Sequence, residues 1–265
     1  MLWEELSAKD FEFWVKKSEG ICVLPIGVIE KHGYHLPLGT DMYISTAIAK
    51  RAAEISPAVV FPYYFLGQIA EARHVKGTLA ASHHLIMDAL LEMCDEIYRN
   101  GFTKILILNG HGGNEHFLPF FAQEMPGLNR KYAVYTRFVH NITEEQLKTI
   151  QSHTNVNDMG YHAGFLETSL IMHLRPDLVC IENQDPSQSV SMKRLKDLQE
   201  LGVFSGFNWY SEYPHHFAGD HSCATAEHGE FIFNILCENI VNTINLIKAD
   251  DMSMKLIKEF NQLAN

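Results

Sequence analysis

The segment Ile21–Ile29 (ICVLPIGVI) carries no charged side chain, and it constrains the fold more than any other stretch of the chain. A strand with one wet face alternates apolar and polar residues. An unbroken apolar run is the pattern of a strand buried on both faces, as in parallel sheets covered by helices. The flanking sequence supplies those helices. Ser7-Ala-Lys-Asp10 resembles a capping box, Phe11, Trp14 and Val15 form an apolar stripe, and Gly20 stops the first helix. A helix is expected at about Met42–Ile55, a strand at Ala58–Phe65, a helix at Leu85–Arg99 closed by Asn100-Gly101, and a strand at Lys104–Leu108. A short helix over Glu115–Gln123 and a strand over Tyr132–Phe138 continue the series. Strands alternating with helices of ten or more residues define βαβ units, so the expectation is an α/β fold with a mostly parallel central sheet. Beyond Asn141 the alternation loosens: Gly164–Leu174 reads as a helix ending before Arg175-Pro176, Gln184–Ser191 as a loop, and Ala226–Ala249 as a long helix. No repeat or linker divides the chain, so residues 1–265 are expected to form one domain.

A chain of 265 residues, 46% of them hydrophobic, buries enough surface to need no disulfide staples. Cys22, Cys94, Cys180, Cys223 and Cys237 are scattered without a CxxC pair, which predicts reduced, buried thiols in a cytosolic protein. The opening MLWEELSAKD lacks a basic segment followed by an apolar core, so no signal peptide is expected. No apolar stretch reaches the ~18 residues of a membrane span. With 21 basic and 32 acidic residues the formal charge is −11, which argues against nucleic acid or an anionic membrane as partner. A cytoplasmic protein acting on a small molecule is the expectation.

Histidine is abundant, at 15 residues. It is both the neutral-pH base and the commonest metal ligand, so its placement matters. In open α/β sheets ligands bind beyond the carboxyl ends of the strands, and two strand ends here are dense in polar groups. After the first strand comes Glu30-Lys-His32. In extended chain residues i and i+2 point the same way, so carboxylate and imidazole are presented together, with Asp41 following at a helix start. After Lys104–Leu108 comes Asn109-Gly-His-Gly-Gly-Asn114, which fails the GxGxxG spacing because Glu115 falls where the third glycine belongs. It offers His111 among small neighbours. A third cluster, His162-Ala-Gly-Phe-Leu-Glu167, places an acid in the apolar stripe of a helix with Ala163, Leu170, Ile171 and Leu174. A buried carboxylate must be paired, hydrogen-bonded or metal-bound.

Glu30, His32, Asp41, His111 and Glu167 make a mixed oxygen and nitrogen ligand set for one divalent ion or two, suited to Zn, Mn or Fe. Hydrolysis by a metal-activated water follows, with His162 giving a proton to the leaving amine. The other histidines carry weaker expectations. His83-His84 reads as a capping or interface pair preceding a helix, and His173 as structural. His215, His216 and His221 fall in a loop beside the aromatic segment Phe207–Tyr213, surface-like or closing a pocket. Arg73, His74, Lys76 and His116 are candidate pocket residues.

Pro25-Ile-Gly-Val-Ile-Glu-Lys-His-Gly-Tyr-His-Leu-Pro-Leu-Gly-Thr-Asp41, Gly77-Thr-Leu79, Asn109–Asn114, His162–Ser169 and Gly219-Asp-His-Ser-Cys-Ala-Thr-Ala-Glu-His-Gly229 together resemble the creatininase (creatinine amidohydrolase) family. The resemblance implies a three-layer α/β/α fold, a two-metal hydrolase and homo-oligomers, often hexamers. It implies Glu30, His32, Asp41 and His111 as metal ligands, Glu167 as a further ligand or an acid just behind the ligands, and His162 as the catalytic histidine; Glu167 stands beside His162 as a catalytic candidate. Three departures stand out. Gly112-Gly113 replaces the Tyr-Glu of creatininases proper, whose Glu is a ligand, which gives Glu167 more weight. Tyr161 replaces an acid before His162, and Asn141–Gly160 lacks the tryptophans that line the creatinine pocket. The GHGGN form resembles relatives that cleave formamides, peptides or cyclic diketones, so creatinine is not the expected substrate. The expected activity is cleavage of a C–N bond in an amide, formamide or cyclic amide. Cleavage of a cyclic ketone such as a dehydro-inosose, or a non-catalytic metal- or ligand-binding regulator, are the alternatives.

Overall fold

A computed structural model describes residues 1–160 and 162–264; Tyr161 and Asn265 lie outside the described residues. The sheet has four parallel strands, β1 (Ile21–Ile26), β2 (Val59–Val60), β3 (Lys104–Asn109) and β4 (Ala133–Phe138), in the order β2-β1-β3-β4. Cys22 of β1 pairs with Val59 on one side and Ile105 on the other. The helices are α1 (Ala8–Lys17), α2 (Thr40–Ile55), α3 (His83–Arg99), α4 (Asn114–Glu124), α5 (Glu144–Thr154), α6 (Phe165–Leu174), the short α7 (Lys196–Glu200) and α8 (Asn208–Glu212), α9 (Ala226–Ala249) and α10 (Met252–Ala264).

Strand parity sorts these helices into two layers, because successive side chains point to opposite faces. Ile21, Val23, Leu106 and Leu108 pack with Ile44 and Ile48 of α2, Leu170 of α6, and Leu236 and Ile240 of α9. Cys22, Leu24, Ile105 and Ile107 pack with Leu90 and Ile97 of α3 and Phe117 and Phe121 of α4, and Phe11 and Trp14 of α1 close that side. Both faces of β1 are covered, as its apolar run requires. From β1 the chain crosses to β2 on one flank, while β3 leads to β4 on the other. The carboxyl ends of β1 and β3 therefore frame the crevice where such sheets bind ligands.

Several elements differ from the expectation. β1 ends at Ile26, although Gly27 and Val28 remain buried and the Gly27 N–H still donates to the Tyr64 carbonyl at 3.0 Å, closing a single bridge between Ile26 and Tyr64. The Ala58–Phe65 strand shrinks to Val59–Val60 and a single bridge at Tyr64; Pro62 between them has no N–H to give. His83 and His84 form the first turn of α3 rather than preceding it, with Ser82 as the cap. α5 and α10 were not expected. Cys180 and Cys223 are exposed, so only Cys22, Cys94 and Cys237 are the buried thiols foreseen. Among the described residues no helix is long and apolar enough to cross a membrane.

Candidate metal centre

Two glycines set the shelf on which the centre is built. A Cβ on Gly27, just past β1, would lie 2.6 Å from the Met42 nitrogen, and one on Gly110, just past β3, would lie 2.5 Å from the Asp41 carbonyl oxygen. Only without side chains at both positions can the first turn of α2 rest on the two strand ends. Asp41 is the second residue of that helix, and Gly39 occupies the cap position, so the Asp41 carboxylate is not spent on capping. It is buried and turns inward.

The turn after β3 is laced by its two asparagines. Asn109 accepts from the His111 N–H at 3.0 Å and donates to the His111 carbonyl at 2.9 Å, while Asn114 donates to Asn109 at 3.1 Å and accepts from the Gln68 N–H at 2.8 Å. The His111 ring donates from Nε2 to the Gln68 carbonyl at 2.9 Å. Its Nδ1 then faces Glu30 Oε1 at 2.8 Å and Asp41 Oδ2 at 3.1 Å. A Cβ on Gly113 would come within 2.4 Å of His111 Nε2, so a side chain there would displace this ring.

His32 is set the same way: Nδ1 donates to the Glu30 carbonyl at 3.3 Å, and Nε2 faces Asp41 Oδ1 at 2.9 Å and Glu167 Oε2 at 3.7 Å. Glu167, in the first turn of α6, accepts from the Ala163 N–H at 2.6 Å. A backbone hydrogen bond from Ala163 therefore holds this acid. The result is two buried triads of ligand atoms that share Asp41: Glu30, Asp41 and His111 on one side, and His32, Asp41 and Glu167 on the other. Backbone partners behind each imidazole are the usual means of aiming a metal-binding histidine.

His162 closes a third group with Glu30 and His32. Its backbone pairs with Ala218 in both directions, and its ring donates from Nε2 to the Lys31 carbonyl at 2.8 Å, which leaves Nδ1 free of that bond. All six residues singled out in the sequence therefore converge. His216, expected in a surface-like loop, is instead 2% exposed, and its Nε2 contacts Glu30 Oε2. His221 is also buried and stacks on His35. His215 stays exposed, and its carbonyl accepts from Lys31 Nζ at 2.8 Å.

The electrostatics demand cations. Burial raises the Glu30 carboxyl, but the charge on His111 and the hydrogen bonds from His111 and His216 hold it well below the ordinary range. Burial likewise opposes Asp41, and His32 and His111 bring it down. Burial would lower His32, yet Asp41, Glu167 and Glu30 drive it up to about 10. Glu167, with less help, is pushed by burial up to about 7. Three carboxylates in one dry cluster need balancing positive charge. Glu30 Oε1, His32 Nε2 and Asp41 Oδ2 are buried with no hydrogen-bond partner among the described residues. All three are the inward ligand atoms of the two triads, so the donor set fits two divalent cations.

A cleft of about 920 Å3 opens beside the centre, lined among others by Gln68, Arg73, His74, His116, Phe207 and Trp209. Lys76 is not among its lining residues. None of the ligand side chains lines it either; Gln68, Gly113 and Trp209 form the shared wall.

A parallel α/β sheet carrying a buried carboxylate–histidine cluster at its switch point is the equipment of a metal-dependent hydrolase. The sequence profile of the creatininase family, described as creatinine amidohydrolase, matches residues 4–244, and the chain belongs to this family of hydrolytic enzymes. Creatinine amidohydrolase of Pseudomonas putida is 27% identical over 192 residues, 67% of this chain and 73% of that one. A mycofactocin precursor peptide peptidase of Mycolicibacterium smegmatis is 30% identical over 232 residues, 80% of this chain and 78% of that one. A solved mutant creatininase of Zn-Zn type superposes with a TM-score of 0.73 at 22% identity, covering 92% of this chain and 96% of that chain.

Proposed function

We propose that this chain hydrolyses the C–N bond of a small-molecule amide, formamide or cyclic amide. Glu30, Asp41 and His111 would hold one divalent cation, and His32, Asp41 and Glu167 a second, zinc or manganese by donor type. The observation that carries this reading is the sharing of Asp41 between two buried triads whose inward atoms lack hydrogen-bond partners. Cations held there would supply Lewis acidity and make water acidic enough to attack at neutral pH, bringing its pKa down to about 7. His162 moves the proton. Its Nε2 is committed to the Lys31 carbonyl, so Nδ1 is the atom that accepts and then returns it to the departing amine. Burial, with His32 and His216 nearby, holds this ring well below its ordinary pKa, so it begins neutral and able to accept.

The cleft favours a substrate larger than creatinine. Its volume of about 920 Å3 lies at the upper end of the roughly 300–1,000 Å3 that house drug-sized ligands. Its wall of Trp209, Phe207, Arg73 and His74 suits an amide with a planar or polar body attached. The test is to strip the protein with chelator, reload it with zinc or manganese, and screen formamides, lactams, short peptides and an inosose. Metal-dependent release of an amine is expected. Turnover of the inosose alone, or of nothing by the loaded protein, overturns the reading.

A further inference from the structure

The structure assigns Trp209 and His216 to the metal centre as positioning residues: the indole N–H fixes the His216 ring, and that ring holds Glu30 with Oε1 turned toward Asp41 and His111. The inference rests on the metal reading above and names two residues outside its ligand set. Trp209 Nε1 lies 2.8 Å from His216 Nδ1. An indole nitrogen can only donate, so Nδ1 accepts and the ring proton sits on Nε2. That nitrogen contacts Glu30 Oε2, which can only accept when ionised. The direction of both hydrogen bonds follows from the indole alone.

Glu30 is fully buried, so Oε2 has no water to turn to. With Oε2 held by His216, Oε1 is the oxygen left for the cluster, 2.8 Å from His111 Nδ1. The main chain keeps the ring in this place. His216 sits at φ +54°, a region few residues with a Cβ adopt. Its neighbours are pinned from both sides, the His215 carbonyl by Lys31 Nζ and Ala218 by the backbone of His162. The outer end is Trp209, carried on the five-residue α8 and lining the cleft. A ligand filling the cleft therefore touches the outer end of a chain that ends on a metal ligand.

Zinc affinity, measured by chelator competition on the full-length protein, tests this without any substrate. His216→Ala is expected to weaken one of the two zinc sites by about 10–100-fold, the usual effect of removing a ligand's hydrogen-bond partner. His216→Gln can accept from the indole and donate to Glu30, and it should stay within about threefold of wild type. Trp209→Phe keeps an aromatic ring but removes the indole N–H together with the five-membered ring that carries it, so it should fall between the two. It also covers the case in which His216→Ala does not fold. Zinc binding by wild type with His216→Ala or Trp209→Phe unchanged overturns this inference alone, as does a Gln variant as weak as Ala. A wild-type protein that binds no zinc overturns the metal reading and this one together.

Discussion

His111 and His216 reach Glu30 from its two sides, and their supports differ. His111 contacts Oε1 and is aimed by a backbone carbonyl, that of Gln68, within a turn laced by Asn109 and Asn114. His216 contacts Oε2 and is aimed by a side chain, Trp209, on a short helix of the C-terminal arm. The geometry of the strand-end shelf follows from the sheet. The arm is open to the cleft, because a side chain that lines it supplies the last hydrogen bond. The shelf places ligands; the arm trims one of them.

If that division holds, damage to the shelf must exceed damage to the arm. Asp41→Asn is the strongest case, since its two oxygens lie 2.9 Å from His32 and 3.1 Å from His111 and serve both triads. Metal counting should find both ions lost. kcat/KM should fall by about 10^3-fold or more, since a Lewis-acid metal supplies several kcal/mol and 1.4 kcal/mol is tenfold. Added zinc should no longer raise its melting temperature, whereas ions at about 100 times Kd stabilise wild type by about 2.7 kcal/mol. Retention of both ions would sink the shared-ligand reading.

The same comparison explains what could be read from the sequence. Glu30 and His32 are two residues apart, Asp41 opens the next helix, and His111 follows an adjacent strand, so local spacing plus a parallel sheet brings them together. Glu167 was legible as an acid in an apolar stripe. His216 was not, because its partner Glu30 is 186 residues away and no periodicity marks the arm. α5 had a readable start in the capping box of Thr143 and Gln146. α10 was harder: it has no buried residue, and Phe260 and Leu263 remain exposed, so its stripe barely contributes to the core.

Glu167→Gln sharpens the comparison within the centre. Glu167 belongs to the His32 side only, so titration should count one zinc where wild type binds two. The Glu30–Asp41–His111 site should keep its affinity within about threefold, and activity should fall by about 10–100-fold, less than for Asp41→Asn. Loss of the other site instead would mean that the two triads are not separable.

The smallest effect isolates the shelf itself. A methyl group on Gly110 would sit 2.5 Å from the Asp41 carbonyl oxygen and 3.0 Å from Ser45 Cβ, both on α2, so the helix must lift from the strand end. Overpacking of this kind costs about 1–3 kcal/mol. At about 2–4 °C per kcal/mol for a chain of this size, Gly110→Ala should melt roughly 2–12 °C below wild type. Gly112→Ala, two residues on, is the control: a methyl there meets nothing within 4 Å among the described residues. Its stability should stay within about 0.5 kcal/mol of wild type. Because lifting α2 also moves Asp41, Gly110→Ala should weaken both zinc sites together, unlike His216→Ala, which acts on one. Equal behaviour of the two alanine variants in thermal melts and zinc titrations would show that close approach of α2 to β3 is not what aims Asp41.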